Sequence, residues 1–311
     1  ADLEPILKVV KDKKPNLIPL FMKDGETFNT HYMAQLDYMG DTDIDGLVRK
    51  DKDDPKVISR FEDKDYMDQL QITRKLFQAG LINKDAATTT LGLQDAMKKG
   101  NVFMIPSSLK PGKDAEFGIA TGFPGKLKQI NLGPRTVSTG ETAGAMLAVS
   151  STSKDPARAM MFINLLHSDK YLNNLLSFGI EGEHFVKVSD NIIKAGPKFN
   201  DYNPGAAWEL GNQFLNYVWD TEAPDKWEQF KVFNEGAHKS PALGFTFDVA
   251  PVKSIVAPIV NIKKQYAAAL ETGSIDPAKA QEWYEKEKKN GLDKIIAEKQ
   301  KQLDAFLASK K

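Results

Sequence analysis

The sequence predicts an α/β fold, and three segments carry that prediction. Leu91–Gly100 reads as a helix ending at a glycine and feeds directly into the apolar strand Val102–Ile105, the αβ half of a βαβ unit. Lys64–Gly80 places Tyr66, Leu70, Thr73 and Phe77 on one helical stripe, with Asp63 or Asp65 suited to its first turn and Gly80 to its end. Ala143–Ser150 reads as an apolar strand. The Asp155-Pro156 pair that follows is an N-cap and first-turn proline, opening a helix whose buried face would be Ala159, Phe162, Ile163 and Leu166.

The remaining elements follow in order. Leu3, Ile6, Leu7 and Val10 have helical spacing, Pro15-Asn16 breaks the helix, and Leu17–Phe21 is a short apolar run. From Pro106 to Thr142 the chain is rich in Gly, Pro, Ser and Lys, which predicts a long irregular excursion. Tyr171–Phe178 is a short helix stopped by Gly179, and Gly179–Val186 a turn and strand. Pro251–Leu270 is helical, with Pro258 expected to kink or divide it. Asp276-Pro277 opens the next helix and Gly291 ends it. Leu292, Ile295, Ile296, Lys299, Leu303, Phe306 and Leu307 then keep helical spacing almost to the end. The Lys/Glu-rich outer faces of these helices read as solvated surface.

A length of 311 residues suggests two domains. Basic and acidic residues balance at 42 each, and only Arg49, Arg60, Arg74, Arg135 and Arg158 are arginine. A neutral, lysine-dominated chain lacks the field and the guanidinium forks that recruit nucleic acid. The absence of cysteine excludes disulfides, thiol nucleophiles, iron–sulfur clusters and thiolate zinc. No apolar run approaches the roughly 18 residues that span a bilayer.

Glu181 and His184 are the one pairing that suggests catalysis. Glu181 and Glu183 stand too close together to flank a glycosidic bond, so a buried Glu181 satisfied by backbone N–H groups is the preferred reading. His31, His167 and His238 have no ligand spacing, and no nucleophile elbow, phosphate loop or zinc motif is present. Asp41, Asp43, Asp45 and Gly46 match the opening of a calcium loop, but Lys52 stands where a bidentate Glu is required. The sequence therefore predicts an Asp-rich turn and no cofactor, with calcium at these three aspartates as the metal alternative.

Five motifs in succession resemble one family. They are Gly179-Ile-Glu-Gly-Glu-His-Phe185, Gly211-Asn-Gln-Phe-Leu-Asn-Tyr217, Gly244-Phe-Thr-Phe-Asp-Val-Ala-Pro-Val252, Leu270-Glu-Thr-Gly-Ser-Ile-Asp276 and Ile296-Ala-Glu-Lys-Gln-Lys-Gln-Leu-Asp304. Together they resemble the LipO-like extracellular solute-binding lipoproteins of ABC-type sugar importers and, more distantly, maltose-type binding proteins. Residues from about Gly244 onward resemble that group's C-terminal region, once catalogued as of unknown function. The resemblance implies a periplasmic-binding-protein-like (type II) two-lobed fold. Residues 1–141 would be the first part of the C-lobe, 142–243 a returning N-lobe portion and 244–311 the closing C-lobe helices. It also implies that the chain begins partway through the mature protein, leaving the N-lobe incomplete and the lipidated N-terminus outside the sequence.

The implied function is capture of a carbohydrate between the lobes and delivery to the membrane permease by a monomeric extracellular receptor, without catalysis. By position, Phe28, Asn29, His31 and Tyr32 resemble an aromatic ligand loop, and Ser107 and Ser108, with Lys110 nearby, follow a strand onto the same rim. Tyr202 and Trp208 lie on a Gly/Pro loop and suit a stacking platform. Glu181, His184, Phe245 and Phe247 complete the ligand candidates, with Asp248 expected to cap a helix. The rival readings are a polysaccharide-acting enzyme using Glu181 and His184, and a cell-surface module that binds a partner through its charged C-terminal helices.

Overall fold

A computed structural model describes residues 3–31, 35–40, 42–205 and 207–310. Helices and short strands alternate through the first part. They run α1 (Leu3–Lys13), β1 (Ile18–Leu20), β2 (Leu36–Asp37), β3 (Val48–Arg49), α2 (Lys64–Gln78), α3 (Leu93–Lys98), β4 (Val102–Met104) and α4 (Lys113–Thr121). Next come β5 (Thr136–Val137), α5 (Thr139–Thr142), α6 (Pro156–Ser168), α7 (Lys170–Phe178), β6 (Phe185–Lys187), β7 (Ile192–Ala195) and β8 (Val218–Trp219). The chain ends with α8 (Lys226–Glu235), β9 (His238–Lys239), α9 (Lys253–Glu271), α10 (Lys279–Lys289) and α11 (Leu292–Ser309). Two compact units result, the larger from Ala1–Leu109, Ile130–Glu141 and Ala237–Lys311, the smaller from Lys110–Gln129 and Thr142–Gly236.

In the larger unit the expected helix–glycine–strand grammar holds. Strand β4 pairs in parallel with β1, in the register Ile18↔Val102 and Leu20↔Met104. Asp63 caps α2, its Oδ1 accepting the Tyr66 N–H at 2.9 Å. Helix α9 runs unbroken through Pro258 rather than dividing there. The bond that proline cannot make belongs to Ser254 in the first turn, where the chain is exposed and water can serve that carbonyl. The apolar stripes of α9, α10 and α11 pack into the core with Met39, Val48, Leu70 and Trp283.

Lys299 and Arg60 are among the charged groups built into that core. Lys299, 1 % exposed on the apolar stripe of α11, donates through Nζ to the carbonyls of Gly46 (2.9 Å), Ile44 (3.2 Å) and Tyr38 (3.3 Å). Gly46 lies at φ +91°, and a Cβ there would stand 3.0 Å from Lys299 Cδ, so a larger residue would press on the lysine stem. Arg60 is likewise buried. Its Nε donates to Asp45 Oδ1 at 3.2 Å, and its guanidinium faces the rings of Trp283, Tyr38 and Tyr66 at 5.3, 5.6 and 6.0 Å.

The smaller unit ties its elements together with buried amides as well as with aromatic contacts such as Phe178–Trp219 and Phe178–Phe185. Its sheet has the order β6-β7-β8, antiparallel and then parallel. Asn173 and Asn174, buried on α7, reach the backbone of the segment that leads into β8. Asn173 donates to the carbonyls of Leu166 (2.8 Å) and Leu210 (3.0 Å). Asn174 donates to the Leu215 carbonyl (2.8 Å) and accepts from the Tyr217 N–H (2.8 Å). Replacing Asn174 with the similarly sized leucine leaves the partly buried Tyr217 N–H and Leu215 carbonyl without this partner, at a cost of roughly 1–3 kcal/mol. Urea unfolding followed by tryptophan fluorescence checks this, since Trp208, Trp219 and Trp227 all lie in this unit. A midpoint unchanged from wild type would refute it.

Three expectations fail in this part of the chain. Residues 143–150 form no strand and lie mostly exposed, Met146 at 78 %. An apolar run becomes a strand only where neighbouring strands take its backbone groups, and the described residues supply none. The excursion from Pro106 is not wholly irregular, because α4 occupies Lys113–Thr121. In α6 the Asp155 cap forms as expected, its Oδ1 accepting the Arg158 N–H at 2.9 Å, yet of the expected buried face only Leu166 is buried and Phe162 is exposed.

Candidate functional site

The larger unit brings two of the predicted loops together. A turn at Lys23–Glu26 is closed by paired backbone bonds and sets Glu26 beside His31, whose Nε2 lies 2.7 Å from Glu26 Oε2. On the other side of the ring, His31 Nδ1 lies 3.2 Å from Ser108 Oγ. Ser107 Oγ donates to the Ser108 carbonyl at 3.3 Å. Imidazole, carboxylate and hydroxyl thus form a chain of polar groups able to grip hydroxyls. Asn29, on the same loop, is 5 % exposed, with its side-chain carbonyl buried and unpaired. Tyr32 falls outside the described residues.

Three aromatic candidates are core residues instead. Phe28 is 4 % exposed and packs with Leu20, Met22, Leu76 and Leu81. Phe245 and Phe247 pack against the α9 and α11 stripes. None presents a ring face to a ligand, because the apolar clusters beneath these loops recruit the rings. Asp248 is not the helix cap expected, since Val249 precedes the single turn Ala250–Val252 and Val252 precedes α9; its Oδ1 instead accepts the Ala250 N–H at 2.9 Å in the bend leading into that turn.

In the smaller unit the motif at 179–186 folds as a tight turn. Gly179 lies at φ +82°, and a Cβ there would come within 2.6 Å of His184 Nδ1, so only glycine fits. His184 Nδ1 accepts the Ile180 N–H at 2.9 Å, and its ring sits 5.6 Å from that of Tyr202. The imidazole is therefore a staple of the turn. Glu181 is not buried as expected: its carboxylate is about half exposed and pairs with Lys187 Nζ at 2.9 Å. That carboxylate and Tyr217 hold the Lys187 ammonium above the usual lysine range. Glu181 and His184 thus serve different partners and form no acid–base pair.

Beside this turn lies a cleft of about 210 Å³. Tyr171, Leu175, Phe185 and Tyr217 line it, with Glu181 and Lys187 supplying its charge. Tyr171 and Tyr217 lie in segments the sequence marks, but nothing there pairs them as site residues, because α7 and the residue before β8 meet only in the fold. Of the predicted platform, Tyr202 is 37 % exposed and its hydroxyl donates to the Leu176 carbonyl at 2.7 Å, whereas Trp208 is 47 % exposed. Lys110 pairs with Glu116 at 2.6 Å.

The Asp-rich turn is held by protein cations. Asp43 bonds Lys263 at 2.8 Å, which keeps its carboxyl below the usual range. Asp45 accepts from Ser59 Oγ (2.6 Å) and the Arg60 N–H (3.1 Å), and Asp41 lies outside the described residues. Among the described residues no group of three or more His, Asp or Glu is arranged to hold a metal ion, and no helix is long and apolar enough to cross a membrane.

Comparison with known proteins places this geometry. Residues 241–308 match the model of a domain of unknown function, DUF3502. A carbohydrate ABC transporter substrate-binding protein of Streptococcus pneumoniae is 31 % identical over 99 % of this chain, which spans 62 % of that relative's length. The crystal structure of the N-glycan transport solute-binding protein NgtS, also from S. pneumoniae, superposes with a TM-score of 0.85 and 28 % identity over 99 % of this chain and 68 % of its own. A second crystal structure of NgtS, in complex with Man5GlcNAc, superposes with a TM-score of 0.84. The resemblance read from five motifs therefore extends along the whole chain, and its α/β fold is that of type II solute-binding proteins.

Proposed function

We propose that this chain, similar along its whole length to carbohydrate ABC transporter substrate-binding proteins, belongs to an extracellular receptor that captures an oligosaccharide and delivers it to an ABC permease. One observation carries the reading: near-complete superposition, at 28 % identity, on a protein crystallised with Man5GlcNAc. Each unit carries one chemistry a sugar needs, hydroxyl partners in the Glu26–His31–Ser108 chain of the larger and a flat apolar face in the Tyr171 ring of the smaller. The action is non-covalent, and the receptor is monomeric, tethered by a lipidated N-terminus and free of any cofactor.

Calorimetry with a panel of oligosaccharides that includes Man5GlcNAc and Man1GlcNAc tests the proposal. Heat of binding with the sugar recovered intact is the expected result. Silence across the sugars, or release of shorter products, would overturn it. Calcium and a chelator should leave the melting temperature unchanged, because Lys263, Ser59 and Arg60 already occupy Asp43 and Asp45.

A further inference from the structure

We infer that the cleft beside the Gly179–His184 turn of the smaller unit is a subsite for a single neutral sugar ring, an assignment that rests on the carbohydrate reading above. At about 210 Å³ the cleft is smaller than the roughly 300 Å³ at which sites for drug-sized ligands begin, a size suited to one ring. The wall is aromatic. Tyr171 is 76 % exposed, whereas half-buried Tyr217 has Lys170 and Lys187 over its ring at 5.1 and 5.5 Å, so Tyr171 is the flat apolar face available to the C–H surface of a pyranose.

The polar groups select the ligand class. Glu181 and Lys187 lie 2.9 Å apart at the cleft, both open to solvent. One accepts hydrogen bonds and the other donates them, which matches two adjacent hydroxyls, each both donor and acceptor. An anionic ligand would meet the Glu181 carboxylate, and a cationic one the Lys187 ammonium. Lys170, the other cation near Tyr217, is held by Asn191 Oδ1 at 2.6 Å. Asn174, although at the cleft, spends its amide on the backbone and fixes shape rather than recognising ligand. The turn itself is closed by the Ile180 N–H bond to His184 Nδ1, and the imidazole leaves no room for a side chain at Gly179.

The test is ligand-observed NMR with glucose, galactose, mannose and N-acetylglucosamine on the wild-type chain and on Tyr171→Ala, Tyr171→Phe and Glu181→Gln. Tyr171 is so exposed that its truncation leaves the fold intact, which a melting curve verifies. A millimolar response weakened about tenfold in Tyr171→Ala and several-fold in Glu181→Gln, but retained in Tyr171→Phe, is expected. Monosaccharide binding undiminished in Tyr171→Ala and Glu181→Gln would overturn the subsite and leave carbohydrate capture standing. A stronger response to a uronic acid than to the neutral sugars would overturn the ligand class. No response to any sugar, single or oligomeric, would overturn the subsite and the carbohydrate reading together.

Discussion

Replacing Lys299 with methionine is expected to destabilise the larger unit by about 3 kcal/mol, more than any ordinary surface change in α11. Methionine matches the lysine stem in length and keeps the apolar contacts of the stripe. What disappears is the ammonium that three carbonyls share, those of Tyr38, Ile44 and Gly46. Hydrogen bonds to a charged donor contribute roughly 1.5–3 kcal/mol each, and buried carbonyls left without a donor lose their solvation outright. Part of that loss is offset because the variant no longer buries an ammonium. Urea unfolding read through Trp283, which lies in this unit, measures the difference, and Lys301→Met on the exposed face of the same helix serves as the control, expected within about 0.5 kcal/mol of wild type. Equal stability of Lys299→Met and Lys301→Met would sink the argument.

Lys299 also shows where sequence reasoning reaches and where it stops. Its position on the α11 stripe, four residues after Ile295 and four before Leu303, is legible from spacing alone. A charge on an apolar stripe signals that a partner must exist. Which partner it finds is not legible, because the carbonyls lie more than 250 residues away along the chain. The calcium-like spacing of Asp41, Asp43 and Asp45 belongs to the same loop. Two of those carboxylates meet Lys263, Ser59 and Arg60, and the carbonyls of the loop meet Lys299. Local spacing names a turn of acidic residues but not the cation that closes it.

Caps and glycines are legible in the sequence because their physics is local. Asp63 and Asp155 each bond an amide three residues on, and Gly179 needs a left-handed turn that its neighbours already imply. Burial is a property of the whole fold. Phe28, Phe245 and Phe247 are candidates in the sequence because aromatics beside Gly-rich loops serve either ligand or core, and only packing decides between them. The run at 143–150 shows the converse, apolar enough for a strand yet without strand neighbours among the described residues. The tyrosine-lined cleft joins α7, the turn and strand at 179–187 and Tyr217 just before β8, a grouping that no local spacing in the sequence implies.

The second large effect concerns acidity. Glu287, 1 % exposed on α10, accepts the Trp283 indole N–H on Oε1 at 2.6 Å, while Oε2 is buried without a partner. Burial, and next the nearby Asp45 carboxylate, push its carboxyl up from 4.5 to about 7, against the pull of Arg60, the indole bond and Lys263. The native state therefore keeps a proton between about pH 4.5 and 7 that the unfolded chain has released. Stability from this group is complete below about pH 4.5 and falls as pH rises through about 7. The loss comes to about 3 kcal/mol in all, because each pH interval of one between the two values is worth about 1.36 kcal/mol. Glutamine reproduces the protonated form at every pH, its carbonyl accepting from Trp283 and its amide standing where Oε2 lies. Glu287→Gln should accordingly match the wild type at about pH 4.5 and exceed it by up to about 3 kcal/mol at about pH 8, in urea titrations across that range. The informative quantity is the slope of the difference with pH. A constant offset between the two proteins would show that the carboxyl is already ionised in the native state, and that Arg60 neutralises it as fully as it neutralises Asp45.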